Sequence, residues 1–144
     1  MSKAFDRVNH SALFIKLMDR QIPRNLIVLL SNWYGKVFAV VKWNTCLSNT
    51  VKISSGVRQG GILSPYLFAI LVDDLLIKLK ASVLGCRLHG IIYNAMMYAD
   101  DLLLLSNTLS DLQTLVNIYV FKLKEIGLSI NINKSICMRI GPIF

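Results

Sequence analysis

At 144 residues, 54% of them hydrophobic, the chain has about the length of one domain and carries too much apolar side chain to be disordered. No apolar run approaches the eighteen or so residues needed to span a bilayer, and Lys3, Asp6 and Arg7 stand where a secretion signal would place its apolar stretch, so an intracellular protein with no membrane partner is expected. Sixteen basic residues against eight acidic ones give a net charge of +8, which fits either a solvated basic surface or a polyanionic partner such as nucleic acid.

Taken in chain order, the pattern predicts a helix over 8–20, apolar at positions 13, 14, 17 and 18 and stopping before Pro23. A second helix over 24–34 ends at Gly35. Two strands, 37–43 and 51–55, are joined by the polar turn 44–50. The glycine-rich loop Gly56-Val57-Arg58-Gln59-Gly60-Gly61 follows, then Ser64 as N-cap and Pro65 as first residue of a helix running to about residue 80. Inside that helix Asp74 is expected to pair with Lys78, four residues on, on the solvated face.

Residues 85–90 read as irregular, and two strands then flank a turn at Asp100-Asp101. Ser110 and Gln113 suggest a capping box for a helix whose apolar stripe is Leu112, Leu115, Val116, Tyr119 and Leu123, ended by Gly127. Short strands are expected over 128–132 and 136–140. The order implies one α+β domain over 1–144, with helices on one face of a small antiparallel sheet. Cys46, Cys86 and Cys137 are odd in number, far apart and not at metal-ligand spacings, so they are expected to be reduced core or surface residues. His10 and His89 are isolated and not expected to bind metal, and His10 reads as a capping or packing residue.

Tyr98-Ala99-Asp100-Asp101 carries the chemistry. The two carboxylates interrupt an apolar stretch, and no Lys or Arg lies between Arg87 and Lys122 to pair with them. A carboxylate withdrawn from water needs a partner or a cation. A divalent metal at a hairpin tip between two buried strands satisfies that need; a solvated turn pair is the alternative.

Four segments together resemble the reverse transcriptases of non-LTR retrotransposons, of the LINE and jockey type. Lys3-Ala4-Phe5-Asp6-Arg7-Val8-Asn9-His10 is similar to the end of their first palm motif. Gly56-Val57-Arg58-Gln59-Gly60-Gly61-Ile62-Leu63-Ser64-Pro65-Tyr66-Leu67-Phe68 is similar to the second, Tyr98-Ala99-Asp100-Asp101 to the third, and Gly127-Leu128-Ser129-Ile130-Asn131-Ile132-Asn133-Lys134-Ser135 to the fourth. They occur in the family's order and cover nearly the whole chain.

The resemblance implies a polymerase-type palm that joins a primer 3′-hydroxyl to a deoxynucleotide, with an RNA template, a DNA primer and dNTPs as partners. It implies two Mg²⁺ ions, with Mn²⁺ able to replace them, held by Asp100 and Asp101 as catalytic and metal-binding residues. It places Phe5 beneath the incoming sugar, Gln59 and Gly60 against nucleotide or template, Arg58 near the triphosphate, and Lys134 at the pyrophosphate. Plainer readings stand beside these: Phe5 as a core ring at a helix entrance, 56–61 as a connector, and Lys134 as a surface lysine. Many relatives carry Pro at the position of Arg58. Asp6 follows the aromatic residue and reads as a polar residue near the first helix, outside the metal position.

In the family the first motif opens with a further Asp, which here would stand one residue before Met1. Fingers would precede Met1, and thumb would follow Phe144. The chain therefore reads as a palm fragment, the alternative being a catalytically dead remnant that at most binds RNA. The purified chain alone is accordingly expected not to extend an oligo(dT) primer on poly(rA), which a Mg²⁺-dependent extension assay checks. Product that disappears on Asp100→Asn would overturn that expectation.

Overall fold

A computed structural model describes residue 1 and residues 4–141 and shows a mixed α+β architecture. Ser2 and Lys3 of the first motif lie outside the described residues, as do 142–144. A single 3-10 turn, Phe5–Arg7, leads into α1, His10–Asp19, whose N-cap Asn9 accepts from the Ala12 amide through its side chain. The second helix, α2, spans Arg24–Gly35. It is followed by β1, Phe38–Ala39; β2, Lys42–Trp43; β3, Cys46–Leu47; and β4, Val51–Lys52.

These four short strands form one nested arm rather than two long strands. The outer ladder pairs Phe38 with Lys52 and Ala39 with Val51, and the inner one pairs Lys42 with Leu47 and Trp43 with Cys46. The predicted turn 44–50 therefore holds a strand of its own, and the predicted strand 37–43 is divided at Val40 and Val41. At the division the Ser48 hydroxyl accepts from the Val41 amide, in the place of a backbone partner. Every residue in the arm's four strands is exposed, so side-chain packing contributes little to its order.

The central element is α3, Ser64–Lys80. Leu67, Phe68, Leu71, Val72, Leu75 and Leu79 form its buried stripe at helical spacing. Burying each such side chain is worth about 1.5–3 kcal/mol. Leu13 and Leu17 of α1 pack on one side of the stripe. On the other lies α4, Leu109–Glu125, which contributes Leu115, Tyr119 and Leu123. Ser64 does not cap α3: the N-cap is Leu63, and the Ser64 hydroxyl turns back to donate to the Arg58 carbonyl.

Asp73 and Asp74 do not pair within their own helix. Arg20 reaches Asp73 and Lys16 reaches Asp74, so both carboxylates tie α3 to α1. The hydrogen bond to Asp74 raises the Lys16 pKa. The cap of α4 is likewise displaced by two residues from expectation. Thr108 accepts from the Asp111 amide, while Gln113 donates to Asn117 along the helix.

Residues 86–88, expected to be irregular, form β5, Cys86–Leu88, paired with β6, Ile91–Tyr93. The tight turn His89-Gly90 has positive φ at both residues, 49° and 79°, the sign of the turn that matches hairpin twist. Strands β7, Ala95–Tyr98, and β8, Asp101–Leu104, form the hairpin that carries the third motif. Past Gly127 the two expected strands are absent; a 3-10 turn at Ile132–Lys134 is the only regular element described there. Leu128 is buried in the core and Ile130 packs against it, but the side chains of Ile132, Ile136, Met138 and Ile140 are exposed, so neither ladder nor core orders the described residues past Ile130.

Asn94 joins the last two hairpins to α3. Its side chain is buried and donates to the Leu79 carbonyl at 2.6 Å and to the Ser82 hydroxyl at 3.1 Å. Its own carbonyl accepts from the Leu105 amide at 3.0 Å. Replacing it by Ala removes the two side-chain bonds, while the Leu79 carbonyl keeps the amide and the hydroxyl of Ser82 as donors. Asn94→Ala is expected to cost about 0.5–1.5 kcal/mol for each lost bond, measured as a lowered urea midpoint with an unchanged denaturant slope.

Candidate active site

Two backbone hydrogen bonds bring the first and second motifs together. The Val57 amide donates to the Phe5 carbonyl at 2.7 Å, and the Gly56 amide to the Val8 carbonyl at 2.8 Å. The approach is so close that a Cβ on Gly56 would stand 2.8 Å from the Asp6 carbonyl oxygen and 2.9 Å from its Cα. Gly56 also has φ +90°, so only glycine satisfies both the space and the backbone. His10 closes the junction, its Nε2 lying 2.7 Å from the Gly56 carbonyl while its ring packs against Tyr34. It is a packing residue, as expected.

The third motif arrives from the other direction. Tyr98 pairs with Asp101, so the two-residue turn is Ala99-Asp100 and Asp101 is already the first residue of β8. Ala99 holds φ 49°, the left-handed region that a Cβ disfavours. The Met1 nitrogen lies 3.1 Å from the Asp100 carbonyl and 3.9 Å from its Oδ2, so the start of the first motif touches the hairpin tip.

The carboxylates are not withdrawn from water. The Asp100 side chain keeps 39% of its surface, Asp101 is exposed, and Met97 and Leu102 behind them are only half-buried. Desolvation therefore does not demand a cation here, and the strands are not buried on both faces. What the tip does offer is two adjacent hard oxygen donors. Among the described residues no group of three His, Cys, Asp or Glu gathers anywhere. A Mg²⁺-like ion, which keeps several waters and takes one or two carboxylates plus phosphate oxygens, suits such a donor pair.

A cavity of about 550 Å³ opens where the three motifs meet. Ala4 and Phe5, the loop Gln59-Gly60-Gly61-Ile62, the start of α3 at Ser64 and Pro65, and Asp100 line it. Of the residues expected at a site, Phe5, Gln59, Gly60 and Asp100 thus share one wall-to-wall space. Phe5 is also part of the packing, stacked on Phe68 with ring centroids 4.9 Å apart, so its two readings are compatible. Arg58, Asp101 and Lys134 do not line the cavity. The Arg58 carbonyl accepts from Ser64 and Gly61, and Lys134 is exposed in the turn at Ile132–Lys134.

Asp6, expected only as a polar residue near the first helix, has a partner at the site: its Oδ1 accepts from the Gln59 Nε2 at 2.8 Å. The signal was present in its place between Phe5 and the residues facing Gly56, but pairing it with Gln59 needs the long-range junction. Ser64 also differs from expectation, converted from a helix cap into a brace for the loop by its bond to Arg58.

Chemically, the cleft brings one carboxylate, Asp100, to the same space as the glycine backbone of residues 60 and 61. Residues 1–140 match the reverse transcriptase (RNA-dependent DNA polymerase) family, and the chain belongs to it. It is 31% identical over 141 residues to the Pol polyprotein of the type-2 retrotransposable element R2DM of Drosophila melanogaster, covering 98% of this chain and 13% of that protein. It is 30% identical over 145 residues to the type-1 R2 polyprotein of Nasonia vitripennis, covering 99% of this chain and 14% of that protein. It is 31% identical over 108 residues to the RNA-directed DNA polymerase of the mobile element jockey of Drosophila funebris, covering 75% and 11%. The chain is thus similar to non-LTR retrotransposon polymerases and spans only a small part of their length. Divalent metal ions generally serve this family, and no helix among the described residues is long and apolar enough to cross a membrane.

Beneath the hairpin, Tyr119 reports on the carboxylates. Burial first, and then the negative charges of Asp100 and Asp101, push its phenol up to about 12. In a spectrophotometric titration the Tyr119 phenol should ionise as a late step near that pH. Tyr119→Phe removes the late step, and Asp100→Asn moves it down. A late step untouched by both variants would place the phenol elsewhere.

Proposed function

We propose that the chain is one unit, a polymerase-type palm segment of a non-LTR retrotransposon reverse transcriptase, and that its cleft handles the nucleotide during RNA-templated DNA synthesis. The observation that carries the reading is the convergence of Phe5, Gln59, Gly60 and Asp100 on one cavity from three separate stretches of chain. Asp100 and Asp101 are the residues that would hold divalent metal, Mg²⁺ in the first instance. When bound, such ions activate the primer hydroxyl and stabilise the departing pyrophosphate.

The rest falls to the protein's own groups. The Phe5 ring, braced from behind by Phe68, forms a flat floor for the sugar and by its bulk opposes a 2′-hydroxyl. Gly60 and Gly61 let backbone approach the nucleotide without side-chain interference. Gln59 supplies a polar contact to nucleotide or template. Arg58 and Lys134 stand outside the cavity and would act on the triphosphate and pyrophosphate only as these extend beyond it.

Charge supports a nucleic-acid partner. From residue 20 to residue 72 the chain has no Asp or Glu, while Arg24, Lys36, Lys42, Lys52 and Arg58 are spread through it. The exposed indoles of Trp33 and Trp43 lie in the same stretch. Template RNA and primer DNA supply the matching phosphates and bases.

The test is a Mn²⁺ titration of the isotopically labelled chain, with paramagnetic broadening read by NMR. Broadening should begin at residues 98–101 and spread to Phe5, Gln59 and Gly60, and Asp100→Asn should weaken it at least about ten-fold, the size of losing a charged ligand. An RNA–DNA duplex should bind with a steep salt dependence. Broadening shared equally with Asp73, Asp74 and Asp111 would sink the assignment.

A further inference from the structure

Gln59 reaches the cavity from an exposed loop, and a free glutamine amide there would rotate. Its two ends are chemically opposite, a carbonyl acceptor and an NH₂ donor, so a rotating amide presents no defined face to a ligand. One contact removes that freedom. The Asp6 carboxylate lies 2.8 Å from Nε2. An ionised carboxylate only accepts, so the opposite amide orientation would set oxygen against oxygen. The bond therefore chooses the rotamer as well as holding it.

Asp6 can do this because its own backbone is fixed. The flanking carbonyls of Phe5 and Val8 accept from Val57 and Gly56 at 2.7 and 2.8 Å, and the Ser55 hydroxyl donates to the Asp6 carbonyl at 3.5 Å. Gly56 packs on the Asp6 backbone more closely than any side-chain-bearing residue could. The carboxylate thus projects from the most constrained part of the junction toward the least constrained side chain of the cavity wall.

We propose that Asp6 is a positioning residue: through its bond to Nε2 it turns the Gln59 Oε1 into a fixed acceptor for a sugar hydroxyl of the bound nucleotide. The inference rests on the nucleotide-handling reading of the cleft and adds to it a source of discrimination. Phe5 and Asp6 then divide the work between neighbouring positions. The ring limits bulk at one edge of the sugar, and the carboxylate, acting through Gln59, requires a donor at another. Asp6 touches neither substrate nor metal in this arrangement.

The test compares a nucleotide that has the donor with one that lacks it. The ¹⁵N-labelled full chain is titrated with dTTP and, separately, with its 3′-deoxy analogue, each with Mg²⁺, following the Gln59 side-chain amide and the Gly60 and Gly61 backbone amides. The wild-type chain should prefer dTTP by about five-fold, the range of one partly exposed neutral hydrogen bond. Asp6→Asn, which can donate as well as accept and so lets the amide turn over, should bring the preference close to unity. Asp6→Ala should do the same, with the urea midpoint separating lost positioning from lost folding.

A preference that survives in Asp6→Asn overturns the proposal, as does equal binding of the two nucleotides by the wild-type chain. Failure of the wild-type chain to bind either nucleotide would instead remove the nucleotide-handling reading itself, and this inference with it.

Discussion

Everything at the cleft depends on the burial of one helix. α3 carries six large apolar residues on its buried stripe, and α1, α4 and the β7–β8 hairpin all pack around it. Its two ends then act as separate fixtures. At the start, Ser64 ties the glycine loop back through the Arg58 carbonyl, and Phe68 supports Phe5. At the far end, the Leu79 carbonyl holds Asn94, where the hairpin begins. Fifteen residues of helix from Ser64 to Leu79 span about 22 Å, and the extended strand β7, Ala95–Tyr98, followed by the Ala99-Asp100 turn, leads back from Leu79 toward the start of the helix. A hairpin anchored at one end of α3 therefore delivers Asp100 to the cavity at the other.

The second constraint is the close junction of the first two motifs. Gly56 brings the backbones of 5–8 and 56–57 into hydrogen-bonding contact, and the side chains on either side then face one another without further adjustment. Phe5 is held by the core while Asp6, its neighbour, faces Gln59 in solvent. One rigid junction thus supplies both an apolar floor and an oriented polar group. Ion pairs play a different part. Lys16–Asp74 and Arg20–Asp73 fasten α1 to α3 at the surface, where such pairs are worth at most about 1 kcal/mol each, so they adjust rather than create the packing.

Much of this was legible from the chain. The four α-helices among the described residues begin and end within a few residues of their predicted limits, because apolar spacing, Pro23, Pro65 and Gly127 act locally. The motif residues Phe5, Gln59, Gly60 and Asp100 could be singled out by resemblance before their meeting place was known. The misreadings share a cause. Ser64, Asp74 and Ser110 were each assigned the nearest local partner, and in each case a different contact prevails: the Arg58 carbonyl, Lys16, and a cap supplied by Thr108 instead. The strands expected past Gly127 had the composition of strands but no described neighbour to pair with.

The sequence by itself determined the helices, the glycine-rich loop, the acidic turn and the membership of a polymerase family, since each is written in short stretches whose spacing is local. Tertiary structure alone decided that the carboxylates remain in water, that Asp73 and Asp74 face α1, and that Asp6 meets Gln59. Those outcomes depend on which backbones approach across fifty or more residues, and the approach is set by the burial of α3 and the absence of a side chain at Gly56.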